Sequence, residues 1–229
     1  MNDYLLIERV LSGTAPIDKL NATEQNFCVR YGPVFEIGRM AGRMARGYYA
    51  HKTLIDVASD PRANALVADT GGVPRKDGTK HVYDMRHYLE YGRTAIVDDL
   101  ERIWLSGALI AVGDQLDASK PRYLSRAPLL ELVYHLRNAA AHGNKFHLLE
   151  AGVKRLKRYE AHNKEAQVKN SNFEIKPDTK GPLLFEFMKP GDVLDILQSV
   201  EVYLTRIRER RKSGELLDDG SLVVRLPRS

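Results

Sequence analysis

Apolar residues recur at helical spacing along much of the chain. In residues 33–58, 80–116 and 129–140 they keep the three- and four-residue intervals that place one stripe of a helix against a core. The only tryptophan, Trp104, falls in the second stripe and is expected in the core. A further helix is predicted over residues 192–212, with Asp192 as its N-cap. The pattern therefore predicts a mainly α fold in which the helices form an antiparallel bundle.

Two segments depart from the helical pattern. Residues 171–190 hold two short alternating runs around a turn rich in Pro, Asp and Gly, which predicts a β-hairpin insertion. We expect a small C-terminal hairpin, or a three-stranded sheet if residues 221–227 pair beside it. Residues 69–78 have the Gly, Pro and charge content of an exposed loop. The chain shows no internal repeat, and a single domain over residues 1–229 is expected.

Composition narrows the class of protein. A hydrophobic fraction of 43% in 229 residues is enough for an ordinary buried core, and the single cysteine, Cys28, excludes a framework of intramolecular disulfides. No segment has the apolar length of a membrane span, and the first residues lack the features of a secretory signal. We therefore expect a cytoplasmic protein without a membrane partner. The histidines complete no metal-ligand pattern, so neither a metal nor another cofactor is predicted.

The stretch 131–143 ends in a cluster of polar side chains. Arg137 is a permanent cation whose planar fork of N–H donors suits phosphate. His142 is of the residue type that most readily gains or loses a proton near neutral pH. Asn138 and His142 are four residues apart, so on a continuous helix they share a face and the amide can orient the imidazole. On an ideal helix Arg137 and His142 are turned roughly 140° from each other. The long Arg stem can bend toward a shared pocket, or a second, antiparallel copy of the helix can bring two Arg and two His together.

The residues 137–142, which read Arg, Asn, three Ala and His, resemble the motif of the HEPN superfamily. Members of that superfamily are all-helical domains. The resemblance implies a homodimer or higher oligomer with a composite active site, and metal-independent RNA cleavage by attack of the ribose 2′-hydroxyl on the adjacent phosphodiester. By the same resemblance, His142 acts as general acid or base, Arg137 stabilises charge on the phosphate, and Asn138 orients His142 or a phosphate oxygen.

The same residues also have a purely structural interpretation. A helix that ends in Arg, Asn, small residues, His and Gly is typical of a C-terminal cap. In this interpretation His142 complements the helix dipole and Gly143 takes a left-handed conformation.

Basic residues follow the motif and give the chain a mild cationic bias, with a formal net charge of +5. Such a bias favours polyanionic partners, although clusters of surface Lys and Arg also occur without a ligand. The candidate RNA-binding residues are Arg46, Lys145, Lys154, Arg155, Lys157 and Arg158.

These observations predict a HEPN-type endoribonuclease, most naturally a toxin or an antiviral defence effector with RNA as substrate. An antitoxin or another regulatory partner is expected for such a protein. The alternative is a non-catalytic dimeric helical module that binds RNA or a protein partner. A transcription factor is less favoured, because no short helix-turn-helix unit with a recognition helix stands out.

Overall fold

The computed structural model describes residues 22–58, 60, 62, 68–87, 97–119, 127–179, 181 and 183–212. These residues are mainly helical, as predicted, and include one small two-stranded sheet. In chain order the elements are α1 (Ala22–Ala58), β1 (Thr70–Pro74), β2 (Lys80–Asp84), α2 (Val97–Ser119), α3 (Pro128–Ala141), α4 (Glu150–Arg158), α5 (Leu184–Phe187) and α6 (Pro190–Lys212).

The chain divides into two compact units, and each is described by itself. The first comprises the described residues up to Ala45 and from Leu105 onward, and the second runs from Arg46 to Trp104. The prediction of one domain over residues 1–229 stays a prediction.

The core of the first unit lies around α3. Helix α3 packs against α5 and α6, and its residues Leu132, Val133 and Leu136 are completely buried. The matching stripe of α6 is buried as well, as its apolar spacing predicts, at Val193, Leu194, Ile196, Leu197, Val200, Leu204 and Ile207. Burying one such side chain contributes about 1.5 to 3 kcal/mol, so this core fixes the position of α3.

Two helix pairs in the first unit run antiparallel. Gly38 of α1 lies against Leu204 of α6, and Gly42 lies against Glu201 one turn earlier in α6. In the second pair, Ser106 of α2 contacts Asn144 just after α3, and Asp114 contacts Arg137 within α3. In both pairs the residue numbers rise along one helix while they fall along the other, which is the antiparallel arrangement that the sequence predicts.

The β-hairpin predicted over residues 171–190 is wrong, because the described residues there form no strand. They contribute two isolated bridges, His162 with Glu174 and Lys145 with Leu183, followed by the short helix α5. The Leu184 N–H donates to the Asn144 carbonyl at 2.6 Å, and Leu184 and its neighbour Phe185 are both buried. The segment therefore pairs with the residues that follow α4 and with the loop after α3, and forms no hairpin with itself. Residues 221–227, the proposed third strand, lie outside the described residues.

The hairpin lies instead in the second unit, where a loop and the start of a long helix were predicted. Strands β1 and β2 are antiparallel, with Thr70 opposite Asp84 and Pro74 opposite Lys80. Asp77 and Gly78 form the turn, because Thr79 N–H donates to Asp77 Oδ1 at 2.9 Å and Gly78 has φ 83°. Asp-Gly is a strong hairpin signal, and it outweighs the helical spacing of the residues that follow. The helix predicted over 80–116 is therefore wrong at residues 80–84, which form β2, and is confirmed at residues 85–87 and from Val97 onward in α2; residues 88–96 lie outside the described residues.

Trp104, expected in the core, is 38% exposed at the end of the second unit. Its ring lies over Gly47 and stacks on the His51 ring, with 5.8 Å between centroids and 7° between planes. In the same unit, burial and a hydrogen bond to Glu101 raise the pKa of Tyr48.

Within the described ranges, no helix is long and apolar enough to cross a membrane.

A buried histidine makes the stability of the first unit sensitive to acid. His135 of α3 is 2% exposed, and its Nε2 has no hydrogen-bond partner in the part of the chain that the structure describes. Burial, together with the charge of Arg155, lowers the pKa of His135 from 6.5 to about 4. The unfolded chain therefore takes up a proton at this histidine over a range of pH in which the folded chain does not.

We predict that the free energy of unfolding falls as pH is lowered from 6.5 toward 4, and that His135→Leu removes about 2 to 3 kcal/mol of this fall. Urea unfolding of both proteins at pH 7 and pH 4.5 measures the difference. His147→Leu, which changes an exposed histidine, serves as the control and should keep the wild-type dependence. An unchanged dependence in His135→Leu would show that this histidine is not protonated on unfolding.

Candidate active site

Helix α3 ends immediately before His142. The His142 N–H donates to the carbonyls of Asn138 and Ala139, at 3.1 and 3.3 Å, and its own φ and ψ of −109° and 47° leave the helical region. Gly143 follows with φ 73°, the left-handed conformation that the capping interpretation predicts. The His142 side chain is exposed at this helix end.

The loop that follows His142 is held by two neighbouring elements. Asn144 has φ 57°, a conformation that few residues other than glycine adopt readily. Its side-chain oxygen accepts a hydrogen bond from Ser106 Oγ of α2 at 2.8 Å, and its carbonyl accepts one from Leu184 of α5. These contacts fix the backbone two residues beyond His142.

Arg137 is held on two sides. Its Nε donates to Asp114 Oδ1 of α2 at 2.6 Å, and its Nη2 contacts the same oxygen. Its Nη1 donates to Asn138 Oδ1 at 3.0 Å. A guanidinium has five N–H donors, so at least two remain without a partner among the described residues. The Arg137 side chain as a whole is 32% exposed.

Asn138 makes no hydrogen bond to His142 in the described structure, and its alternative predicted role, orienting a phosphate oxygen, stays a prediction. Its side-chain oxygen accepts from Arg137, and no described residue makes a hydrogen bond with the His142 imidazole. The four-residue spacing places two side chains on one face only where the helix continues through both of them. Here α3 stops at Ala141, and the backbone turns at His142.

Arg155, predicted to bind RNA, is committed to an internal ion pair. Its Nε and Nη2 donate to the two carboxylate oxygens of Glu131, at 2.6 and 2.9 Å, and its guanidinium lies 4.0 Å from the centre of the Tyr134 ring. Glu131 is 1% exposed. Burial alone would lower the pKa of Arg155, but the Glu131 carboxylate raises it above its ordinary value. Arg155 therefore has an internal partner, and its predicted contact with RNA stays a prediction.

The other candidate cations differ in their surroundings. Lys154 pairs with Glu150 one turn earlier at 2.7 Å, and Arg158 lies over the Tyr159 ring at 5.2 Å. Lys145 and Lys157 are exposed and have no ion-pair partner in the described ranges. Lys154, Lys157 and Arg158 fall on one face of α4 because they are three and four residues apart. Arg46 is exposed in the second unit.

Sequence reasoning missed Asp114 and the internal role of Glu131. Asp114 is 23 residues from Arg137 in the chain, and Glu131 is 24 residues from Arg155. Only the packing of α2 and α4 on α3 brings these partners together, so local spacing carries no signal of them.

Near the end of α3, the described side chains include the Arg137 guanidinium and the exposed imidazole of His142. No group of three or more His, Cys, Asp or Glu that could hold a metal ion occurs among them. Comparison of the chain with protein-family models, with curated proteins and with solved structures gives no match.

We predict that Arg155→Ala lowers the free energy of unfolding by about 3 kcal/mol, because it leaves the Glu131 carboxylate buried without its partner. Lys157→Ala, two residues away and exposed, should change it by less than about 0.5 kcal/mol. Urea unfolding at neutral pH measures both values. Equal midpoints for the two variants would contradict the internal role assigned to Arg155.

Proposed function

We propose that the chain is a metal-independent endoribonuclease of the HEPN type. The observation that carries the proposal is the arrangement near the end of α3, where Arg137 keeps unpartnered donors and His142 is exposed five residues later. These are the two groups that phosphoryl transfer within RNA requires, namely a cation for the phosphate and a group that moves protons.

In the proposed reaction the ribose 2′-hydroxyl loses its proton and its oxygen bonds to the adjacent phosphorus. The bond from phosphorus to the 5′-oxygen then breaks, and that oxygen takes up a proton. The products are a 2′,3′-cyclic phosphate and a 5′-hydroxyl, and no water is consumed. Arg137 stabilises the negative charge on the non-bridging oxygens while five oxygens surround the phosphorus.

The reaction needs both a base and an acid, which supports the proposed homodimer. One copy supplies a single His142, whereas two copies meeting at the ends of their α3 helices supply two, one to accept a proton and one to donate it. The residues that such a contact would cover, Ala141, His142 and Gly143, are exposed and small apart from the histidine itself.

Lys145, Lys154, Lys157 and Arg158 form the proposed RNA surface. Lys145 is three residues from His142, and the other three share one face of α4. Phosphate contacts by such side chains release counterions and make affinity depend on salt. Arg46 stays a predicted contributor from the second unit. A toxin or defence role in the cytoplasm, with an antitoxin or regulatory partner, stays a prediction as well.

The alternative is a dimeric helical module that binds RNA or a protein partner without cutting. One observation favours it: no described residue orients the His142 imidazole, and the amide expected to do so is engaged with Arg137. Salt-dependent binding of RNA without cleavage products would support this alternative.

We predict that His142→Ala lowers the rate of RNA cleavage by about 10²- to 10⁴-fold, because the reaction loses its proton-transfer group. Cleavage of a labelled single-stranded RNA of mixed sequence, in buffer with excess chelator, measures the rate. His147→Ala is the matched control, since it removes another exposed histidine five residues further on. Equal rates for wild type and His142→Ala would overturn the proposed function.

We predict that Lys157→Ala weakens RNA binding and lowers the slope of log affinity against log salt by about 0.7 for single-stranded RNA, the loss of one phosphate contact. Lys164→Ala removes the same charge where it is already paired with Glu174 at 3.0 Å, and should leave the slope unchanged. Fluorescence anisotropy at a series of salt concentrations, with the His142→Ala background to prevent cleavage, gives both slopes. Identical slopes would exclude Lys157 from the RNA surface.

A further inference from the structure

We infer that Asp114 is a positioning residue that fixes the Arg137 guanidinium for its role at the phosphate. This inference rests on the proposed ribonuclease function and adds to it a residue from another helix. Neither the motif nor its spacing contains Asp114, which lies 23 residues before Arg137.

The first support is the geometry around the guanidinium. Asp114 Oδ1 receives Nε and contacts Nη2, so one carboxylate oxygen holds one edge of the planar group. Asn138 Oδ1 holds Nη1. Contacts to three of the nitrogens set both the position and the plane of the group, and a planar fork binds phosphate best when its plane is already set.

The second support is the close approach of the two helices at this point. A methyl group added to Gly113 would lie 2.6 Å from both Cβ and Cγ of Arg137. The stem of Arg137 therefore lies directly on the backbone of α2, beside the carboxylate that holds its end. Only glycine at 113 leaves room for this contact.

The third support is that α2 holds both ends of the candidate site. Asp114 contacts Arg137, and Ser106 contacts Asn144, two residues after His142. The two contact points on α2 are eight residues apart, or about 12 Å along the helix axis. Because α2 contacts the chain on both sides of His142, it fixes the separation of Arg137 from the loop that carries the imidazole.

A positioning role has a distinct kinetic signature. Asp114 carries the same sign of charge as the substrate, so its removal does not take away an attraction for RNA. It takes away the alignment of Arg137, and the loss should appear in kcat with little change in KM. Asparagine at 114 keeps an oxygen acceptor in the same place and should restore much of the rate.

The experiment compares Asp114→Ala, Asp114→Asn, Gly113→Ala and Asp117→Ala on one labelled single-stranded RNA of mixed sequence. We expect Asp114→Ala and Gly113→Ala to lower kcat by about 10- to 100-fold, and Asp114→Asn to recover much of it. Asp117→Ala removes an exposed acid from the same helix, outside the contacts of Arg137, and should match wild type. Circular dichroism spectra matching wild type show that each variant is folded.

The outcomes separate this inference from the proposed function. If His142→Ala is inactive while Asp114→Ala keeps the wild-type kcat, the positioning role is wrong and the ribonuclease stands. A higher kcat in Asp114→Ala would also overturn it, since Asp114 would then restrain Arg137 instead of aligning it. A wild-type rate in His142→Ala would overturn the ribonuclease and the positioning role together.

Discussion

The Arg137 side chain makes polar contacts with both α2 and α3, through Asp114 and Asn138. The apolar core fixes the position of α3, because the leucines of α3 are buried where it packs against α5 and α6. Apolar contacts do not determine the direction of a polar side chain on this helix. The Asp114 carboxylate and the Asn138 amide supply that direction. The glycine beside Asp114 makes the contact sterically possible, and two N–H donors of Arg137 remain without a partner among the described residues.

The basic residues of α4 differ in role because only one of them is paired with a buried carboxylate. Arg155 is a basic residue of α4 like Lys157 and Arg158, but it forms a bidentate ion pair with the buried carboxylate of Glu131. Removing such a carboxylate from water is costly unless a cation is paired with it, so Arg155 has a structural role in the first unit. The exposed cations of the same helix are paired with no buried carboxylate among the described residues. The buried His135 beside this pair is neutral at physiological pH for the same reason, since its charged form would lack water.

The sequence predicts those elements whose signals are local. The stripes of α3 and α6 are long and regular, and the Gly143 turn stops α3 where a C-cap is expected. The predicted position of the hairpin is wrong for two different reasons. Residues 171–190 find hydrogen-bond partners after α4 and in the loop after α3, which a local pattern does not reveal. The Asp77-Gly78 turn is a local hairpin signal, but the Gly, Pro and charge content around it also fits a loop.

In the candidate site, too, some residues can be predicted from local sequence and others cannot. Arg137 and His142 are visible as residue types at a spacing, but the end of α3 at Ala141 removes the shared face on which Asn138 would orient the histidine. Asp114, Gly113 and Ser106 of α2 lie more than twenty residues before Arg137 in sequence, and only the antiparallel packing of α2 on α3 makes them part of the site.

Analysis of the RNA ends produced by the wild-type chain in excess chelator tests the proposed reaction most directly. A ribonuclease that works through Arg137 and His142 leaves 2′,3′-cyclic phosphate and 5′-hydroxyl ends without any metal. RNA that stays intact, or products that carry 5′-phosphate ends, would contradict this function.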